Sequence, residues 1–120
     1  MKKPYLGYAY EKLYNTVEGL ASGEESIQNR IYNAYISNLT RLKQEFKKPD
    51  IREYFMLLEK QLESNGHISF TDLINEIEKD IKCQNLTDKY CKEIGKTIVN
   101  LFVFISRDFK QDSITEYFDE

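Results

Sequence analysis

Apolar residues return along this chain at steps of three and four, and that period predicts helices along most of its length. Leu6, Tyr10, Leu13, Val17 and Leu20 mark one face of a first helix running from Pro4 to Ala21. Pro4 suits a first helical turn, where its missing N–H costs nothing. Ser22 and Glu25 stand in capping-box register, so a second helix is expected to start there. Its stripe is Ile27, Ile31, Ala34, Tyr35, Asn38, Leu39, Leu42 and Phe46. It should end before Pro49, which at about 24 residues makes it the longest helix expected. The short connection predicts that helices one and two are antiparallel neighbours.

Asp50 and Glu53 offer another capping register for a third helix with the stripe Ile51, Tyr54, Phe55, Leu58 and Leu62. Asn65-Gly66 is its left-handed stop. Ser69 caps a fourth, carrying Phe70, Leu73, Ile74, Ile77 and Ile81. Thr87 caps a fifth, with Leu86 and Cys91 placed as a hydrophobic staple. That helix carries Cys91, Ile94, Ile98, Leu101, Phe102, Ile105 and Phe109, and Val99 and Val103 widen its apolar arc. A helix apolar most of the way round belongs in the middle of a bundle or in a contact. Gly95 inside it suggests a close helix crossing. No period-two run competes. The expected fold is all-α, a compact irregular bundle of about five helices in a single domain over 1–120, with 111–120 as an acidic aromatic tail. The expected core is Leu13, Val17, Ile27, Ile31, Leu39, Leu42, Phe55, Leu58, Ile74, Ile77, Ile94, Ile98, Leu101, Phe102 and Ile105.

Composition narrows the functional classes. The chain has 120 residues, 41% apolar and 31% charged, enough for one buried core. One histidine, two cysteines and no glycine-rich loop leave most catalytic centres without their parts, so neither enzymatic activity nor a cofactor is expected. Cys83 and Cys91 lie eight apart, which matches neither a redox nor a zinc spacing; they read as buried, reduced thiols of a cytoplasmic protein. No stretch approaches the roughly 18–20 apolar residues of a membrane span, and the lysines at positions 2 and 3 precede no apolar signal region. The segment Gln61–Asp72 has the glycine of a calcium loop, but Gln61 stands where the first carboxylate belongs and Asp72 where a bidentate glutamate belongs. A helix stop at Gly66 and a cap at Ser69 explain the same residues without metal. His67, the lone imidazole, has no ligand or catalytic partner at a telling spacing.

Charge and aromatic placement carry what remains. The net charge is −3, which is not the balance of a dedicated nucleic-acid binder. Locally, the second and fifth helices are each net positive, and Arg30, Arg41, Lys43, Lys47, Lys92 and Lys96 form the phosphate-contacting set of an alternative reading, an accessory subunit of a nucleoprotein complex. The leading reading is a non-enzymatic protein–protein interaction module, a small bacterial or phage subunit or regulator. Tyrosine suits half-wet contacts, and Tyr5, Tyr8 and Tyr32 lie off or beside the core stripes. Val99 and Val103 are placed to pair across a two-fold axis in a homodimer. Tyr117 and Phe118 sit among acids in the tail, as a short peptide bound by a partner or docked on the chain's own basic helices.

The runs Leu20-Ala21-Ser22-Gly23, Ile27-Gln28-Asn29-Arg30-Ile31, Ala34-Tyr35 and Ile94-Gly95-Lys96-Thr97-Ile98-Val99 resemble those of a group of short all-helical bacterial proteins. The resemblance implies a compact bacterial helical protein and brings no activity or site with it.

Overall fold

A computed structural model describes the backbone of residues 6–118 and the side chains of 7–49, 51–80 and 82–110. Among the described residues the chain is all-α, with no strand. In chain order, α1 spans Leu6–Ser22 and α2 Ile27–Ala34; a π-helical stretch, Tyr35–Leu39, joins α2 directly to α3, Thr40–Glu45. Then come α4, Pro49–Ser64, and α5, Phe70–Lys79. A 3₁₀ turn at Ile81–Cys83 leads to α6, Asp88–Phe118.

The helix α6 is the axis of the bundle, touching α1, α2, α4 and α5. Its 31 residues span roughly 46 Å, and they account for the long dimension of a body measuring 51 × 26 × 24 Å. The second predicted helix is therefore not the longest. Against α6, α1 runs antiparallel: Tyr10 stacks on Phe109 at 4.9 Å between centroids, while Tyr14 meets Phe102 at 6.3 Å. The α4 helix also runs antiparallel to it. Tyr54 donates to Asp108 Oδ2 at 2.5 Å near one end, and His67, beyond the other end, pairs with the Asn100 amide.

The core follows the periodic stripes. Leu13, Ile31, Leu39, Leu42, Phe55, Leu58, Ile74, Ile77, Ile94, Ile98, Leu101 and Ile105 are buried as expected, joined by Phe70, Leu73, Leu62 and both cysteines. Val17, Ile27 and Phe102 are only half-buried, at the edges of that core.

Helix boundaries depart from the sequence reading where two capping signals compete. The second helix starts after Ser26, whose hydroxyl accepts from Asn29 N; Ser22 instead donates back to Glu18 O at 2.7 Å and so closes α1. The third starts with Pro49 itself in the first turn, after Lys48, rather than at an Asp50 cap. The Ser69 and Thr87 caps are as expected, accepting from Asp72 N and Tyr90 N at 3.1 Å each. Gly66 has the left-handed φ of +83° that stops α4. The fourth helix ends at Lys79, two residues early, because Lys82 and Cys83 take positive φ and turn the chain toward α6. Among the described residues an added Cβ at Gly95 would meet no neighbour within 4 Å, so no close crossing is found there.

Candidate functional site

Three places on the molecule offer more than a solvated helix surface. One is the seam between α1 and α6. Tyr10 stacks with Tyr14 at 6.4 Å and tilts against Phe102 at 5.5 Å, so Tyr10, Tyr14, Phe102 and Phe109 form one aromatic row. Tyr10, Phe102 and Phe109 are half-buried, but Tyr14 remains 49% exposed. Beside Phe102, one helical step further out, α6 presents Val99, 43% exposed, with Val103 one turn on and Gly95 one turn back. The side-chain-free backbone at Gly95 leaves the outer face of α6 low at that point.

The second is a groove between α3, α4 and α5 of about 230 Å³. Its floor is aromatic. Phe46 stacks on Phe55 at 3.4 Å, and Phe70 stands edge-on to both at 5.2 and 5.1 Å. Met56, 54% exposed, borders it. Lys43, Lys47 and Arg52 line its rim. Lys43 is engaged by Glu78 at 2.9 Å, and Arg52 donates to Lys47 O. The one acid in the lining, Glu59, accepts from Thr71 N and Oγ1 and so caps α5. Lys47 is exposed and acts on Glu78 only through its field, after Lys43 and Tyr35, and the exposed Arg52 is held by a backbone carbonyl.

The third is a polar hollow of about 240 Å³ beside the π-helical stretch, with Asn15, Asn33, Ser37 and Asn38 among its walls. Arg30 closes one end. Its guanidinium donates to Leu20 O and Glu25 O and lies over Gly23, where an added Cβ would meet Arg30 Cγ and Cδ at 2.7 Å. Arg30 is thus a C-terminal clasp on α1.

The titratable groups that shift are structural. Glu78 sits below the ordinary carboxylate range because Lys43 and then Tyr35 donate to it. The Tyr35 hydroxyl is pushed up to about 12, first by burial and then by its hydrogen bond to Glu78. Burial pushes the Cys83 thiol up to about 11, with Asp80 and Cys91 adding to it, and raises Cys91 as well.

The sequence-derived residues do not gather at one place. Tyr5 lies outside the described residues, as do the side chains of Tyr117 and Phe118. Tyr8 is 36% exposed with the Lys12 ammonium 5.3 Å over its ring, whereas Tyr32 is half-buried against the core. Only Val99 and Val103 fall on the seam. Of the alternative basic set, Arg30 and Lys43 are engaged inside the fold and Lys96 lies 3.7 Å from Glu93; Arg41, Lys47 and Lys92 are exposed. His67 has an amide partner, Asn100, and among the described residues no group of three His, Cys, Asp or Glu could hold a metal ion. No helix among them is long and apolar enough to cross a membrane. Sequence reasoning passed over Tyr14, although its one-turn spacing from Tyr10 was a legible signal of an aromatic row, and it passed over the phenylalanine groove, which joins three helices. No protein-family model matches the chain, and no match to it was found among the curated proteins or the solved structures.

Proposed function

We propose that this chain is a non-enzymatic protein–protein interaction module, a small cytoplasmic bacterial or phage subunit or regulator. Its contact surface is the α1/α6 seam. One observation carries the reading: an aromatic row only half covered by the fold runs alongside the exposed Val99 and half-buried Val103 of the central helix. Contact surfaces favour rings of this kind, which bring large area at low entropy cost. The structural roles of the shifted groups, and the amide partner of His67, support a role in contact rather than turnover.

A second copy of the chain is the occupant this surface suits. Gly95, Val99 and Val103 recur at four-residue steps on the outer face of α6, so two α6 helices can approach closely at the glycine and pair their valines about a two-fold axis. Sedimentation equilibrium over a wide concentration range tests this. The wild-type chain should show a reversible monomer–dimer equilibrium, and Val99→Glu should stay monomeric with an unchanged helical spectrum. A wild-type chain that remains monomeric to the highest soluble concentration, or a variant that dimerises equally well, overturns it.

A further inference from the structure

We infer that the groove between α3, α4 and α5 is a receptor for the acidic aromatic segment 111–120, supplied by a second copy of the chain. The groove shares no lining residue with the α1/α6 seam.

The chemistry of the groove defines its occupant. Phe46, Phe55 and Phe70 make an apolar floor of rings set at right angles, which suits an aromatic or branched aliphatic side chain. Met56 beside it is unbranched and adaptable, and its exposure leaves apolar area for an occupant to cover. Space of about 230 Å³ lies below the 300–1,000 Å³ range of sites that enclose a whole small molecule, so it suits one or two anchoring side chains of a longer ligand. Lys47 and Arg52 add two exposed cationic groups at the rim, on a protein whose net charge is −3. The occupant is therefore a peptide with apolar anchors and flanking acids.

The chain carries one such segment. Residues 111–120 contain Asp112, Glu116, Asp119 and Glu120 and no basic residue. Between those acids, Ile114, Tyr117 and Phe118 stand at i, i+3 and i+4, the spacing by which an amphipathic helix fills an apolar groove. The helix α6 continues through Phe118, so the backbone of this segment is helical as far as that residue. It begins past Phe109, which already lies opposite Gly7 at the start of α1.

Fluorescence polarisation of a labelled 111–120 peptide, titrated with the full-length chain, tests the inference. Saturable binding is expected, weakening as salt rises because two cations face the acids. Lys47→Glu with Arg52→Glu should lower affinity by about tenfold or more, since like charges then face each other. Both positions are exposed, so the fold should persist. Met56→Glu should weaken binding as well, and a peptide with every acid replaced by its amide should bind poorly. Absence of binding, or binding that the rim variants leave unchanged, overturns the inference. Binding lost in Val99→Glu but kept in the rim variants assigns the peptide to the α1/α6 seam and overturns the groove assignment alone. Decanoate that protects Met56 from oxidation while the peptide fails to bind gives the groove to a small amphipathic carboxylate and likewise overturns it.

Discussion

Tyr35, Glu78 and Lys43 tie the π-helical stretch and α3 to α5 through one carboxylate, with the tyrosine hydroxyl 2.8 Å and the ammonium 2.9 Å from Glu78 Oε2. The two ends of the pH scale act on this triad oppositely. The Tyr35 pKa is raised in the folded state, so its contribution is complete below the ordinary value of 10.0 and disappears as pH rises toward about 12. The Glu78 pKa is lowered, so its contribution is complete above the ordinary value of 4.5 and fades as pH falls through the folded value. Urea unfolding at a series of pH values should show stability falling at both extremes, and Tyr35→Phe should remove part of the alkaline loss. The cysteines behave by the same logic. Buried, with their pKa values raised, they should react slowly with a thiol reagent at pH 8 and rapidly once the chain is unfolded. Their burial was legible from sequence, because Cys91 lies on the apolar stripe of α6. The triad was not, since residues 35 and 78 are brought together only by packing.

At the scale of the helix, local signals succeed where a single residue can do the work. Thr87 and Ser69 each precede an apolar stripe and each accepts an N–H of the turn that follows. Thr87→Ala should lower stability by about 1 kcal/mol in chemical denaturation, the ordinary worth of such a cap. Signals fail where two compete within a few residues. Ser22 and Ser26 both suit a cap, and the last turn of α1 takes the first, leaving the second for α2. The π-helical stretch is a failure of another kind. Tyr35 O accepts from Thr40 N, five residues on, which inserts one residue into the helical repeat without a proline or glycine to announce it. Gly95 shows the converse: it weakens α6 with no neighbour to require it. Gly95→Ala should therefore raise the stability of the dilute monomer by about 0.5–1 kcal/mol in urea unfolding.

Across the whole molecule, α6 has two faces with different duties. The inward face holds the bundle together. Leu101→Ala should cost about 2–5 kcal/mol, because a cavity would open between packed helices. On the outward face Val99 is exposed, so Val99→Ser should change stability by less than about 0.5 kcal/mol while impairing self-association. The apolar surplus of this helix was visible in the sequence; which part of it would stay uncovered depended on where α1 and α4 settled against it. The most direct test is a cysteine cross-link at that outer face. The native thiols are buried, so Val99→Cys is the one readily oxidised site, and Leu57→Cys on the outer side of α4, at 56% exposure, is its control. Under mild oxidation Val99→Cys should form a disulfide-linked dimer much faster than Leu57→Cys. Equal rates, or a Val99→Cys chain that stays monomeric, would contradict a two-fold contact through α6.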